Sequence, residues 1–241
     1  MPIAPTMPNT TDPSPIDYSR IDYSQWTLRQ RVFRVFVLLI LRLFTKMKVE
    51  GAEHIPASGG FVLAPNHIHM FDLPVIFACV PRRTVVFAAD KWQNSLFFGW
   101  LLSFFGDAIY VHRGEPDRRA LSQALDVLKA GGVLGLAPEG TRSRTGGLQE
   151  GRTGVVYLAN RSNTPIWPVV VFGQEKAFAC WLRLRRVPIY VRFGEAIHLP
   201  PGKYRAPDLE AHTDVLMMTL ARLLPPQYRG VYTDRFAEEE E

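Results

Sequence analysis

Residues 60–72 read GFVLAPNHIHMFD, and this stretch decides the fold class. Its first part, 60–64, is an uninterrupted apolar run of the length that a buried strand has. The polar residues Asn66, His67 and Asp72 follow the run, and the apolar segment 73–79 comes next and is predicted to begin a helix. A buried strand, a polar loop and a helix in this order are typical of α/β proteins, which place functional residues after strand ends.

The alternation continues along the rest of the chain. Short apolar runs predict further strands at 84–89, 109–111, 133–137, 167–172 and 189–193. Helices are predicted at 116–130, 153–160 and 208–224. Strands that alternate with helices predict an α/β fold, here a single domain whose mainly parallel sheet is flanked by helices.

Composition divides the chain into four segments. Residues 1–25 begin with a stretch rich in Pro, Ser, Thr and Asp and are predicted to form a disordered arm. Residues 26–49 are predicted to form a helix at a membrane interface. Residues 50–230 form the predicted main domain, and residues 231–241 form an acidic tail that ends in four glutamates.

The prediction of an interface helix depends on residues 35–41, which are all apolar. Arginines precede this run, and Arg42, Lys46 and Lys48 follow it. A helix needs about 20 predominantly apolar residues to cross a bilayer, and this run is well short of that. Basic flanks around an apolar centre suit a helix that lies in the interface. We therefore expect peripheral or monotopic attachment to the cytoplasmic face of a membrane. A helix buried in the protein core is the alternative.

The net charge of +5 indicates a partner that carries phosphate, or simply a mildly basic surface. Only two cysteines occur, far apart, so the sequence has neither a zinc-finger spacing nor a disulfide framework. Nucleic-acid binding is not expected, because the small basic group Arg183, Arg185 and Arg186 beside Trp181 fits anionic lipid or a solvated face better.

His67 and Asp72 are the candidate catalytic pair. On a continuous helix they would point about 140° apart, so they meet only if the chain turns before the helix begins. Asp72 is suited to cap such a helix, and Pro74 is tolerated in its first turn. A carboxylate at Asp72 that holds one nitrogen of His67 would leave the other nitrogen as a general base.

The segment Pro138-Glu139-Gly140-Thr141-Arg142-Ser143 is a candidate anion site, because it follows the predicted strand 133–137. Gly140 allows a tight turn that leaves backbone N–H groups and hydroxyls free, and Arg142 can bind phosphate through two hydrogen bonds. Arg113 follows another strand and is a second candidate. The alternative is a turn whose arginine pairs with a surface aspartate.

Four blocks of this sequence resemble the glycerolipid acyltransferases of the lysophosphatidic acid acyltransferase type, over roughly residues 50–200. The blocks are Asn66-His67-x4-Asp72, residues 105–113, residues 138–143 and residues 165–169, and Lys91 also lies where the family often has a lysine. The resemblance implies that 50–230 is an acyltransferase domain. In it His67 is the base, Asp72 orients His67, and Arg113, Glu139, Gly140, Thr141 and Arg142 bind the substrate phosphate.

The resemblance also implies the substrates. The acyl donor would be acyl-coenzyme A or acyl carrier protein, with no cofactor and no metal. The acceptor would be a lyso-phospholipid, with lysophosphatidic acid, glycerol 3-phosphate and other lyso-lipids left open. Asn66, Lys91 and Ser143 are possible supporting residues. Arg152 is a further one, as a substitute for the lysine that the family often has shortly after the third block and that this sequence lacks.

Two other functions fit parts of the sequence. His67, His69 and Asp72 have a spacing that suits a metal ion, which would indicate a metallohydrolase. A lipid-binding protein without catalysis that kept the fold is the second alternative. The aromatic stretch 97–105 is compatible with a surface that faces membrane or acyl chains and equally with core packing.

Overall fold

The computed structural model describes residues 16–89, 107–111 and 117–237. These residues form a seven-stranded sheet in the order β1-β7-β6-β2-β5-β3-β4. The strands are β1 Thr45–Glu50, β2 Phe61–Pro65, β3 Thr84–Ala89, β4 Asp107–Val111, β5 Val133–Gly135, β6 Ile166–Phe172 and β7 Val187–Phe193. From β6 to β4 all neighbours are parallel, whereas β7 is antiparallel to β6 and parallel to β1. The predicted α/β fold with a mainly parallel sheet is confirmed.

Helices cover both faces of the sheet. Within the described residues they are α1 Leu28–Phe44, α2 Asp72–Cys79, α3 Arg118–Lys129, α4 Gly154–Ser162, α5 Ala177–Trp181, α6 Ala206–Leu223 and α7 Thr233–Ala237. Helices α3, α4 and α6 contribute to the core on one face of the sheet, and α1, α2 and α5 lie on the other.

Strand β2 shows why its sequence is apolar without interruption. Phe61 and Leu63 belong to the core on the α2 side, whereas Val62 and Ala64 belong to the core on the α4 side. All four are fully buried. A strand covered on both faces has no position for a polar side chain, and each large side chain buried there stabilises the fold by about 1.5–3 kcal/mol.

The predicted helix at 26–49 ends earlier than expected. Helix α1 stops at Phe44, and residues 45–49 belong to β1, which pairs with β7 at the edge of the sheet. Lys46 and Lys48 were interpreted as the basic flank of the helix. They instead occupy exposed positions on an edge strand, where lysine is common because it discourages pairing with another chain.

Both predicted terminal segments are shorter than expected. In the arm, Tyr18 and Tyr23 are buried, and the Tyr18 hydroxyl donates to the Ala108 carbonyl at 3.1 Å. In the tail, Tyr232 and Phe236 are buried, and the Arg229 guanidinium lies 4.1 Å from the Phe236 ring centroid. The predictions of an arm at 1–25 and a tail at 231–241 are therefore wrong for 16–25 and 231–237, where aromatic side chains anchor polar segments to the core.

Helix α1 has two different faces. Gln30, Phe33 and Val37 are buried, and Phe33 packs on Phe77 of α2. Large apolar side chains on its other surface are exposed: Leu28, Val32, Val35, Phe36, Leu39, Ile40, Leu43 and Phe44. Among the helices that the structure describes, neither α1 nor any other combines the length and apolar character that crossing a bilayer requires.

Candidate active site

His67 and Asp72 meet at the carboxyl end of β2. His67 lies in the loop after the strand, and Asp72 is the first residue of α2. The His67 Nδ1 and Asp72 Oδ2 atoms are 2.8 Å apart. The chain turns between the two residues as the sequence predicted, and this turn brings them together.

Asp72 does not cap helix α2, which corrects that prediction. Its Oδ2 atom instead accepts hydrogen bonds from the backbone N–H groups of Ile68 at 2.8 Å and His69 at 2.9 Å. The carboxylate points back across the loop because the loop's own N–H groups offer donors on that side. It thereby fixes the loop and the His67 ring together.

Gln174 is a site residue that the sequence analysis missed. Its Nε2 atom donates to Asp72 Oδ1 at 2.6 Å, and the side chain is fully buried. Gln174 begins a short 3-10 turn just after β6. The sequence could have indicated Gln174, because a polar residue just after a parallel strand lies at the same sheet edge as His67.

The hydrogen bonds define the chemical state of the His67 ring. Because a carboxylate oxygen faces Nδ1, the proton of the neutral ring belongs on Nδ1, and Nε2 keeps its lone pair. Nε2 has no hydrogen-bond partner among the residues that the structure describes, and about one third of the side chain is exposed. An accessible Nε2 with a free lone pair can act as a general base.

Glu139 connects two loops through hydrogen bonds and does not present its carboxyl group to a phosphate, which corrects the prediction. It is buried, Oε1 accepts from the His67 backbone N–H at 2.8 Å, and Oε2 accepts from the Gln149 N–H at 3.0 Å. Burial raises the pKa of this carboxyl. Both oxygens are occupied by backbone donors, and a carboxylate repels an anion, so Glu139 holds the loops in place.

The turn at 140–143 lies beside the catalytic loop. Gly140 has φ of +71°, and a Cβ there would approach the Arg152 side chain to 2.9 Å, so the position requires glycine. The Ser143 N–H donates to the His67 carbonyl at 2.7 Å, and the Thr141 carbonyl accepts from Gln149 at 3.1 Å. Ser143 is buried, so it supports the turn and does not offer its hydroxyl to solvent.

Arg142 differs from its neighbours. Its side chain is exposed and forms no hydrogen bond or ion pair with any residue that the structure describes. The alternative in which Arg142 pairs with a surface aspartate is therefore not seen within these residues. Arg142 is available for an external anion, and Arg152, also exposed, packs against the same turn.

Asn66 joins two strands. Its Nδ2 atom donates to the Val171 carbonyl at 3.0 Å, and its Oδ1 atom accepts from the Val171 N–H at 2.8 Å. The side chain is fully buried. Asn66 therefore pins the end of β2, and with it the start of the His67 loop, to β6.

Two predicted site residues, Lys91 and Arg113, lie outside the described residues, as does the aromatic stretch 97–105. Their roles stay predictions. Within residues 16–89, 107–111 and 117–237, no three His, Cys, Asp or Glu side chains are grouped so that they could hold a metal ion. The geometry of His67, His69 and Asp72 thus offers no support for the metallohydrolase alternative.

A cleft of about 190 Å³ adjoins the pair on the face of the sheet that carries α2. His67, Asp72 and Asn66 contribute polar groups to its lining, and most of the remaining wall is apolar. The apolar side chains include Leu63, Leu73, Ile76, Phe77, Val86 and Phe87. Such a wall suits a hydrocarbon chain whose reacting end lies at His67.

Comparison with known proteins places this arrangement in context. The profile of a family described as Acyltransferase matches residues 46–172. The 1-acyl-sn-glycerol-3-phosphate acyltransferase of Borreliella burgdorferi is 30% identical over 55% of this chain and 54% of its own length. The human 1-acyl-sn-glycerol-3-phosphate acyltransferase alpha is 30% identical over 60% of this chain and 52% of its own length. The chain thus spans about half the length of these curated relatives.

A solved structure shares the fold. The crystal structure of the 1-acyl-sn-glycerophosphate (LPA) acyltransferase from Thermotoga maritima aligns with a TM-score of 0.63 at 22% sequence identity. The alignment covers 80% of this chain and 79% of that one.

Proposed function

Because this chain belongs to the Acyltransferase family, whose profile covers residues 46–172, we propose that it transfers a fatty acyl group from a thioester to a phosphorylated glycerolipid. The acceptor is 1-acylglycerol 3-phosphate, and the product is phosphatidic acid. The names of the curated relatives support this choice of acceptor.

The observation that carries the proposal is the His67–Asp72 pair beside an apolar cleft. A base that faces solvent on one side and a hydrocarbon-lined wall on the other fits a substrate with a polar reacting end and a long apolar chain. A hydrolase acting on a small polar substrate would have no use for this wall.

The chemistry follows from the geometry. His67 Nε2 takes the proton from the acceptor hydroxyl as that oxygen attacks the carbonyl carbon of the thioester. The carbon–sulfur bond then breaks, and the proton passes from His67 to the departing thiolate. Asp72 holds the ring through Nδ1 and stabilises its charged form, as in a catalytic triad in which the substrate hydroxyl replaces serine.

Recognition of the acceptor phosphate is assigned to Arg142, with Arg113 as the second predicted group. Arg142 is exposed on the turn whose Ser143 N–H bonds to the His67 carbonyl. A phosphate held there lies on a segment that is physically tied to the base. Acyl-coenzyme A and acyl carrier protein are both candidate donors, and no cofactor or metal takes part in the proposed steps.

We place the protein on the cytoplasmic face of a membrane. The apolar side chains on the outer surface of α1 support attachment to a membrane, because Leu28, Leu39 and Leu43 are all more than half exposed. Arg29 and Arg31, which are exposed near the start of the same helix, suit anionic headgroups.

The test is a coupled assay on purified protein in vesicles. Long-chain acyl-coenzyme A and lysophosphatidic acid are supplied, and thiol release and phosphatidic acid are followed together for wild type and His67→Ala. We expect both products to appear in equal amounts, to be lost in His67→Ala and to be unaffected by a chelator.

Each result of the assay that differs from this expectation has its own interpretation. Activity that a chelator abolishes would revive the metallohydrolase alternative, and thiol release without phosphatidic acid would indicate a thioesterase. If nothing occurs, the donor is changed to acyl carrier protein and the acceptor to glycerol 3-phosphate and other lyso-lipids. Inactivity over that whole panel would overturn the proposal in favour of a lipid-binding protein.

A further inference from the structure

Helix α5 and the turn that follows it expose large apolar side chains. Phe178 is 58% exposed, Leu182 is 87% exposed and Leu184 is 98% exposed. Single exposed leucines are common on soluble proteins, but three large apolar residues on one short projection form a surface that suggests a partner.

The backbone holds this projection in an unusual conformation. Leu184 has φ of +52°, in the left-handed region that residues other than glycine and asparagine rarely adopt. The turn is closed by hydrogen bonds from Leu184 N–H to the Trp181 carbonyl and from Arg185 N–H to the Cys180 carbonyl, both 2.9 Å. An ordered turn thus directs an apolar side chain away from the core at a conformational cost.

The charge on the same projection has one sign. Arg183, Arg185 and Arg186 are exposed, and the sequence from Lys176 to Arg186 contains no acidic residue. None of the three arginines forms an ion pair with a residue that the structure describes. Unpaired arginines around apolar tips match an anionic lipid surface, with hydrocarbon below and phosphate at the level of the charges.

The projection is continuous with the exposed face of α1. The Trp181 ring centroid lies 6.2 Å from that of Phe44, and Trp181 Nε1 donates to the Phe44 carbonyl at 3.4 Å. Arg186 in turn donates to the carbonyl of Arg42. The end of α1 and the α5 turn therefore form one surface with mixed apolar and basic character.

The projection also contacts the catalytic loop. Phe71, which precedes Asp72, has its ring centroid 5.7 Å from that of Trp181 and 6.1 Å from that of Phe178. Whatever surface binds α5 is therefore separated from the His67–Asp72 loop by a single layer of aromatic rings.

We propose that α5 and the turn 182–186 form a second membrane-docking element, which inserts Phe178, Leu182 and Leu184 into an anionic bilayer. This proposal rests on the membrane location proposed above for α1. With two attachment regions, the bilayer is held beside the His67 loop, so a lyso-lipid reaches the base without leaving the membrane surface.

The test measures binding of the full chain to vesicles, without turnover. Phosphatidylcholine vesicles are compared with vesicles that also contain phosphatidylglycerol, in a sedimentation assay. The apolar variant is Leu182→Gln/Leu184→Asn, in which asparagine tolerates the left-handed backbone. The charge variant is Arg183→Gln/Arg185→Gln, which leaves the Arg186 contact intact.

Matched controls lie on the opposite face of the sheet. Val215→Gln/Val231→Gln removes two exposed apolar side chains, and Lys129→Gln/Lys203→Gln removes two exposed positive charges. We expect the charge variant to lose about tenfold or more in affinity for anionic vesicles only, and the apolar variant about tenfold or more for both vesicle types. The controls should change by less than about twofold, since surface sites away from the contact contribute little.

Losses no larger than those of the controls would overturn the proposal. The charge variant could also keep its vesicle affinity but lose binding of an acidic protein, such as acyl carrier protein. That result would overturn the proposal and assign the surface to a protein partner. Because no turnover is measured, failure of the acyl-transfer assay would contradict the proposed function and leave the docking result intact.

Discussion

Gln174 Nε2 lies 2.6 Å from Asp72 Oδ1, and both side chains are buried. His67 Nδ1 in turn donates to Asp72 Oδ2 at 2.8 Å, so hydrogen bonds connect the end of β6 to the candidate base without interruption. Both Asp72 oxygens are thus satisfied by donors, and the ring of His67 is oriented by a carboxylate that cannot rotate.

Gln174→Ala should lower kcat by about tenfold and leave the KM for the acyl acceptor nearly unchanged. The change leaves Asp72 Oδ1 buried without a donor, which costs about 1–3 kcal/mol and frees the carboxylate to move. Steady-state kinetics measures the two constants, and thermal unfolding measures the accompanying loss of stability.

The same substitution made in a His67→Ala background separates positioning from general damage. If Gln174 acts through Asp72 on His67, the residual rate of His67→Ala should not fall further when Gln174 is also replaced. A further tenfold fall would show that Gln174 acts on the rate by another route.

Glu139→Gln should change how stability depends on pH. Burial raises the pKa of Glu139 above its ordinary value of 4.5, so the folded protein keeps this proton to a higher pH than the unfolded chain does. The stabilisation from proton binding is present below the unfolded pKa and is lost as pH rises through the folded pKa.

The free energy of unfolding of wild type minus that of Glu139→Gln should therefore decrease from pH 4.5 upward, by at most about 1.4 kcal/mol per pH unit. Urea unfolding of both proteins over this range measures the difference. A difference that increases with pH would mean that the hydrogen bonds from His67 and Gln149 outweigh burial.

Arg142→Ala should raise the KM for lysophosphatidic acid by about 10- to 100-fold, as expected for losing a hydrogen bond to a charged group. Thermal stability should be unchanged, because Arg142 has no partner among the described residues. Arg144→Ala is the control, since Arg144 is also exposed and lies two residues away. Equal effects of the two variants would argue for a general effect of charge.

Val86→Phe should shift the donor preference toward shorter acyl chains. Val86 lines the apolar cleft, and a larger side chain there reduces the length of hydrocarbon that fits. The ratio of kcat/KM for a short-chain to that for a long-chain acyl-coenzyme A should rise by about tenfold. An unchanged ratio would show that the acyl chain binds elsewhere.

The strands and the catalytic turn were predictable from the sequence for physical reasons. Buried strands such as 84–89 are short apolar runs, and the structure has this strand at Thr84–Ala89. The turn between His67 and Asp72 was inferred because the two cannot meet on a helix. Fold class follows from such local patterns because they repeat along the chain.

The errors came from contacts that are distant in sequence. The hydrogen bonds from the His67 N–H to Glu139 and from Gln174 to Asp72 join loops after different strands. A local pattern can place such residues at the same sheet edge, but it does not show which of them pair. The strand β1 was missed because Lys46 and Lys48 fit a helix flank and an edge strand equally well. The buried Tyr18 and Tyr232 were missed because single aromatics in polar segments give no periodic signal.

The junction between α1 and β1 has no connecting loop: the helix ends at Phe44 and the strand begins at Thr45, whose Oγ1 donates to the Leu41 carbonyl at 2.6 Å. One residue inserted there would rotate the helix by about 100° relative to the sheet. The exposed apolar face of α1 would then point in a different direction relative to the rest of the protein, although no side chain of the helix had changed. The junction therefore fixes the rotation of α1 relative to the sheet. The chain should accept substitutions along α1 far more readily than a change in the length of the helix.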